Sequence, residues 1–446
     1  MKEQDRVKTE IKELLSAREW AKTRELLSDT PAPDIADLLP DMDKTDRMLL
    51  FSLLPRQLAG EAFSYLESRR KDDLLKELTD EETRRLLAEL SPDDRAEFFE
   101  ELPGLATQRL LNLLNPRDRR QTLQLLGFPQ ESVGRLMSPD YVAVQAEWSI
   151  DHALRHIRKK GKDSETINVI YVVDPSWKLI DALELRRFIL APMEQTVEQI
   201  MDHNFICIKA LEDREEAVRM IQHYDLVALP VVDSEGVLLG TVTVDDVLDV
   251  AEEEATEDFH RVAAVAPLKM SYRESGFWSL YRKRIGWLAA LIVVNMASGH
   301  VIARHEELLI SSIALSFFIP LLIATGGNAG AQSATLMVRA IATGDLRADQ
   351  WLWAVGKELL VGLGLGVTLG LATWFLGFYR GGFDMAVIIF LTMTAIVLVS
   401  NLIGVGLPFL LNRLNMDPAV ASSPLITTVV DFVGLTIYFS IAVRIL

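Results

Sequence analysis

From about residue 281 the chain becomes a succession of apolar runs, and nothing else in it restricts the fold so strongly. The runs extend from Gly286 to Ile302, Leu308 to Ala324, Glu358 to Tyr379, Met385 to Leu411 and Ser422 to Leu446. Each approaches or exceeds the roughly 20 residues a helix needs to cross a bilayer, so five spans are predicted. Arg282, Lys283, Arg284, Arg339, Arg347, Lys357 and Arg413 then flank the inner side, against Arg304, Arg380 and Arg444 outside. That bias places the amino terminus in the cytosol and, with an odd number of spans, the carboxy terminus outside.

The last run carries a carboxylate, Asp431, well inside apolar sequence. At bilayer depth a charge costs roughly 2.5–3.5 kcal/mol and normally faces a wet path. Thr427, Thr428 and Gly434 stand three or four residues away, which at helical spacing puts them on the same face. A polar, close-approaching face suits a cation pathway. The alternative is an acid snorkelling from a helix end, with threonines bonding back into their own helix. The second run leads into Pro320 and then Gly326-Gly-Asn328-Ala-Gly330-Ala-Gln332. Such sequence predicts a break whose freed carbonyls face an ion's water shell. Close packing of small residues explains the glycines too, but explains Asn328 and Gln332 less well.

Charge divides the chain. From residue 281 onward Lys and Arg number 10 and Asp and Glu 8; before it the counts are 36 and 55. An acidic front part points to cations and away from nucleic acid as partners, although solubility alone would also account for it. The single Cys207 excludes an intrachain disulfide framework. No secretory signal is expected at the charged start, and no Walker loop, nucleophile elbow or His/Cys metal set points to an enzyme.

Up to about residue 130, units of about a dozen residues repeat: Leu78-Thr-Asp-Glu-Glu, Leu90-Ser-Pro-Asp-Asp and Leu114-Asn-Pro-Arg-Asp. Each offers a helix N-cap, then acid in the first turn, then apolar residues at helical spacing. Short helices that cannot bury their faces alone imply a stacked superhelix. Most of these acids serve caps and helix dipoles; Asp93, Asp94 and Glu97 are better placed to face a neighbouring domain.

Between about Gly134 and Glu254 one pattern occurs twice. Tyr141-Val-Ala-Val, a helix from Asp151 to Lys159, a strand Ile167 to Val173 and a helix after Glu184 are matched by Phe205-Ile-Cys-Ile, a helix from Asp213 to His223, strands Ala228 to Val232 and Val237 to Val242, and a helix after Thr243. β-Branched runs alternating with helical periods make these α/β units, and they resemble a tandem pair of CBS domains. The resemblance implies an adenosine nucleotide such as ATP, read through Gly240, Thr243 and Asp246, with Arg187 near the phosphates. The first copy has Asp181, Glu184 and Arg187 at the matching positions, so at most one site is expected, and a purely structural pair is the alternative.

Between Asp249 and Asp258 there are six carboxylates and no basic residue. At helical spacing, Asp249, Glu253 and Glu257 line one face, where like charges repel. A divalent cation with hard oxygen preference would compensate, whereas a solvated linker helix is the plain alternative.

Taken together, the acidic repeat, the paired modules, the acidic helix and the membrane motifs Gly326-Gly-Asn328-Ala-Gly330 and Asp417-Pro-Ala, Pro424, Thr427-Thr, Asp431 resemble the MgtE-type magnesium channel family over essentially the whole chain. The expected fold is multidomain: an all-α superhelical N-domain (1–130), an α/β CBS pair (131–195 and 196–250), a connecting acidic helix (251–280) and an α-helical transmembrane domain (281–446). The resemblance implies a magnesium-selective homodimer in the cell membrane, with lipid and Mg2+ as its other partners. Its pore residues would be Asp431, Asn328, Thr427, Thr428 and Asp417. Sensor acids that close the pore when they bind cytosolic Mg2+ would be Asp94, Asp213, Glu215, Asp225, Asp246, Asp249, Glu254, Glu257 and Asp258. Ser422-Ser423 departs from the family's usual glycine before Pro424. A cobalt or manganese transporter of the same architecture and a membrane-tethered nucleotide sensor are the rival readings.

Overall fold

The computed structural model describes residues 7, 9–11, 13–15, 17–102, 104–268, 272, 275–343, 345–346, 350–414 and 416–446. Arg347 of the inner flank lies outside them. The chain forms two compact units, Met1–Glu253 and Glu254–Leu446.

The first unit begins with short helices, and their caps are those the sequence predicts. Helix α1 (Asp80–Glu89) starts with a reciprocal capping box between Thr79 and Glu82. Ser91 caps α2 (Pro92–Glu101) and Asn115 caps α3 (Pro116–Leu125). Side-chain acceptors here satisfy N–H groups that have no partner inside the helix, a contribution of about 1 kcal/mol each. The apolar faces meet in a core containing Phe63, Leu87, Phe98 and Phe99.

Two three-stranded sheets follow. Strands β1 (Ala143–Gln145), β2 (Val169–Val173) and β3 (Leu179–Glu184) repeat as β4 (Ile208–Lys209), β5 (Ala228–Val232) and β6 (Leu238–Thr243). In both, the first strand is parallel and the third antiparallel to the central one, and the register slips at equivalent places, Val172/Val173 and Val231/Val232. Helix α4 (Ile150–Lys160) covers the first sheet and α5 (Arg214–Tyr224) the second. Strand β3 is absent from the sequence reading, because buried Asp181 interrupts the apolar alternation of Leu179 and Leu183. The sheets join through bridges Lys178 to Val237 and Ser138 to Thr241, and through a buried Tyr171 Oη to Thr241 Oγ1 hydrogen bond. Strand β6 runs straight into α6 (Val244–Val262), and the boundary between the two units falls inside this helix.

Among the described residues of the second unit, four helices are long and apolar enough to cross a membrane: α7 (Phe277–Arg304), α8 (Ala314–Ala342), α9 (Trp351–Arg413) and α10 (Ser423–Ile445). The third and fourth expected runs both lie in α9, whose 63 residues would reach about 95 Å if straight. It is not straight. Gly382 adopts φ 74°, ψ −160°, a conformation closed to side-chain-bearing residues, and the chain folds back there. The arms then run side by side: a Cβ on Gly377 would lie 2.9 Å from the Ala386 Cα, and one on Gly366 2.9 Å from the Thr394 Cα.

The predicted break after Pro320 does not occur. Helix α8 continues unbroken through Gly326, Asn328 and Gly330 to Ala342. Where lipid supplies no hydrogen bonds, an intact helix satisfies every carbonyl, and these glycines serve close packing. A Cβ on Gly326 would meet Ile396 at 2.4 Å, and one on Gly404 would meet the Gly330 carbonyl oxygen at 2.4 Å.

Gly404→Ala therefore overpacks a helix crossing and is expected to lower stability by about 1–3 kcal/mol. Gly406→Ala, whose Cβ meets nothing within 4 Å, is expected to be neutral or slightly stabilising. Thermal unfolding of the two detergent-solubilised variants checks the contrast.

Candidate metal centres

Carboxylates from three separate parts of the first unit converge. Asp93 and Asp94 come from the first turn of α2, Asp140 and Glu165 from loops of the first α/β module, and Asp245, Asp246 and Asp249 from the start of α6. Helix capping brings the first pair there: Ser91 holds the Asp94 N–H and fixes the turn that presents both acids.

Asp93 is buried, and its Oδ1 has no hydrogen-bond partner. Burial, followed by the charges of Asp246, Glu165 and Asp94, pushes its carboxyl well above the usual range. Burial likewise raises Asp94, with Asp245 adding to it and Ser91 and Lys71 opposing. Glu165 is raised by burial and by Asp245, Asp94 and Asp140, against a hydrogen bond from Ser138. Asp246 is pushed up to about 7, chiefly by burial, with Asp245 and Glu165 adding to it against hydrogen bonds from Thr243. Asp249 is raised by burial and then by Glu252, Asp245 and Asp94. These acids repel one another, and a divalent cation among them would reverse the sign of every such interaction.

The one cation deep in this region does not neutralise them. The buried Arg95 guanidinium donates to Thr122 Oγ1 at 3.0 Å and to the Leu87 and Leu90 carbonyls, and its nearest carboxylate, Asp118, is 4.0 Å away. Asp94, Asp246 and Asp249 are thus brought together as sequence predicts, and Asp140, Glu165 and Asp245 are additions. Asp245 was readable as the neighbour of Asp246; Asp140 and Glu165 stand in loops without a pattern.

Other expected sensor acids lie elsewhere. Asp213 caps α5 by accepting from the Glu215 N–H at 2.9 Å, and Asp225 ends the same helix in the left-handed conformation, φ 52°. Neither they nor Glu215 are among the charges that perturb the cluster. At the far end of α6, Asp258 is raised by burial and by Glu254, with Arg339 opposing. Glu257 pairs with Arg261, whose guanidinium also pairs with Asp417. Asp417 in turn accepts from the Ala419 N–H at 2.7 Å. It is therefore held at the turn before α10 by a cation from the chain itself.

The nucleotide candidates are engaged with one another. Thr243 Oγ1 and N–H both donate to Asp246 Oδ2, at 2.6 and 3.2 Å. Arg187 pairs with Asp202 at 2.6 Å. In the first module Asp181 is buried, accepting from the Ala182, Asp202 and His203 N–H groups.

In the second unit, Asp431 is half-buried midway along α10 and makes no hydrogen bond or ion pair among the described residues. Thr427 and Thr428 both donate to the Pro424 carbonyl, at 3.0 and 2.8 Å, which leaves their oxygens free to accept. Thr427 is half-buried one turn before Asp431, whereas Thr428 is only 5% exposed and turned into the protein. Helix α8 lies alongside: a Cβ on Gly327 would touch the Thr427 side chain at 3.1 Å. Asn328, Gln332 and Thr335 form an exposed polar row on that helix.

Among the described residues, no three His, Cys, Asp or Glu side chains converge closely enough to hold a bare metal ion. That arrangement suits an ion that keeps several waters, as magnesium does.

Comparison with known proteins gives a consistent result. Family models match along the chain: the MgtE intracellular N domain over residues 30–131, the CBS domain over 133–194 and 197–253, and MgtE, a divalent cation transporter, over 319–441. A magnesium transporter MgtE from Thermus thermophilus is 38% identical over 442 residues, 98% of each chain. One from Bacillus subtilis is 30% identical, covering 94% of this chain and 95% of its own. The crystal structure of the cytosolic domain of the Mg2+ channel MgtE in complex with ATP is 36% identical and covers 55% of this chain and 99% of its own, with TM-score 0.52. That of the soluble part of a magnesium transporter is 26% identical, covering 56% and 99%, with TM-score 0.54.

A raised carboxyl pKa in the folded state means that the unfolded chain loses its proton first. Without metal, stability should therefore fall as pH rises from about 4, the ordinary value, to about 7, the Asp246 value, and level off above. Saturating Mg2+ should restore it at pH 7 and have little effect at pH 4. Thermal unfolding across that range, with chelator or Mg2+, measures both.

Proposed function

The chain belongs to the MgtE family of magnesium transporters, and from that premise we propose that it is a magnesium-selective channel of the cell membrane, closed by cytosolic Mg2+. The observation that carries the reading is Asp431, a carboxylate without a protein partner on a helix long and apolar enough to span a bilayer. An intramembrane acid of this kind is retained for a passing or bound cation, not for anchoring.

The polar row of Asn328, Gln332 and Thr335 cannot face lipid at low cost. A second copy of the chain meets the need: two α8–α10 pairs about a two-fold axis would enclose a wet path with an Asp431 from each side. Their mutual repulsion is relieved by a divalent ion between them. Selection then acts on a hydrated ion through path width and contacts of Asn328, Thr427 and Asp431 with its waters. Counting the two arms of α9 separately gives five crossings, with the amino terminus inside and the carboxy terminus outside.

In the cytosol, the acidic cluster is the sensor. Mg2+ among Asp93, Asp94, Asp245, Asp246 and Asp249 stabilises the assembled head, and its loss leaves carboxylates that repel. Helix α6 carries part of this cluster at its start and Glu254, Glu257 and Asp258 toward its end, so one rigid element has acids under ionic control at both ends. An adenosine nucleotide, as in the relative solved with ATP, would have to draw Thr243 away from Asp246 to read ribose. It would therefore compete for a carboxylate that the sensor also uses.

Flux of Mg2+ into liposomes tests the pore: wild type should transport, and Asp431→Ala should not. Equal flux from both would move the ion site elsewhere; competition by Co2+ and Mn2+ in the same assay separates the sister transport readings. Neutralising the sensor with Asp93→Asn and Asp245→Asn should keep flux but shift its inhibition by internal Mg2+ to concentrations at least severalfold higher. Patch recordings at stepped internal Mg2+ read that shift directly.

A further inference from the structure

Asp431 is not the only carboxylate engaged inside the long helices. Glu358, eight residues into α9, sits where three helical segments cross. Its Oε2 accepts from Ser333 Oγ of α8 at 3.2 Å and from Asn401 Nδ2 of the returning arm at 3.1 Å. The Ser333 hydroxyl also lies 3.3 Å from the Asn401 carbonyl oxygen. A single carboxylate oxygen therefore ties α8 to both arms of α9.

The tie forms at the closest helix approach in this unit. Gly330 and Gly404, whose backbones leave no room for a Cβ, stand three residues, about one turn, before Ser333 and after Asn401 respectively. Ser333 is 3% and Asn401 2% exposed. Neither donor has water to turn to, so removing the shared acceptor would leave two buried donors unsatisfied. The adjacent cation, Lys357, sits over the Trp353 ring, 5.2 Å from its centroid. Ser333 lies on the buried side of α8, next in sequence to Gln332 of the exposed polar row. Whatever fixes Ser333 fixes the rotation of that row.

We propose that Glu358 is a positioning residue for magnesium passage. Its carboxylate oxygen acts as a hydrogen-bond acceptor, not as an ion ligand, and sets the rotation of α8 that holds Asn328 beside the Thr427 and Asp431 face of α10. The inference rests on the pore reading above.

The test is Mg2+ uptake by liposomes carrying the full chain, as a function of external Mg2+. Glu358→Ala should raise the half-saturating concentration severalfold, because hydrated-ion contacts are displaced. Glu358→Gln keeps a carbonyl oxygen for both donors and should return half-saturation to within about twofold of wild type. If the alanine variant does not assemble, Ser333→Ala removes one donor of the same tie and should raise half-saturation likewise. An unchanged half-saturation with only fewer active molecules means that Glu358 merely supports folding, and overturns the proposal. So does a glutamine variant as impaired as the alanine one, since that makes the charge and not the acceptor necessary. Absence of wild-type flux would instead bring down the pore reading itself.

Discussion

Negative charge without a matching positive charge is the condition on which the rest of this structure turns. Taking an ionised carboxylate out of water costs several kcal/mol, and Asp93, Asp94, Glu165 and Asp246 are all raised by burial and by one another. The single deep cation, Arg95, is bound mainly to carbonyls and a hydroxyl. Such a cluster has two stable settings: protons on the acids, or a divalent ion among them. At cytosolic pH the second is the natural one, and a fold that depends on it reports the ion's concentration.

The membrane part answers a different demand, that no backbone group be left without a partner. Helix α8 stays intact through its glycines, and α9 reverses at one glycine in a conformation few other residues adopt. With the backbone satisfied internally, specificity has to come from side chains. The few polar ones are sorted accordingly: Ser333 and Asn401 turn inward to each other, whereas Asn328 and Gln332 stay exposed.

Much of this was legible in the sequence, for physical reasons that differ by element. The helix caps at Thr79, Ser91 and Asn115 are local, so three or four consecutive residues disclose them. The duplicated modules show because β-branched runs have a period. Asp431 shows because an acid stands out against apolar sequence. What could not be read was set by tertiary contact. Strand β3 hides behind a buried aspartate satisfied by backbone N–H groups far along the chain. The glycines of α8 have the same composition whether they break a helix or pack one, and only the neighbouring Ile396 and Gly404 decide. Asp140 and Glu165 enter the cluster because the loops that carry them are folded back against α2 and α6, a relation no spacing encodes. Asp417 lies in a motif, yet its partner Arg261 is more than 150 residues away.

Asp181 gives the two modules unequal fates. In the second copy the corresponding groove is bounded by Gly240 and by side chains that can exchange one partner for another. In the first, a carboxylate already claimed by three amides fills the same position. Duplication thus produced one half that remains negotiable and one that is permanently fastened. Any small molecule entering the pair would push against a fixed wall on one side, so its effect would be a tilt in a single direction and not a symmetric spreading of the two halves.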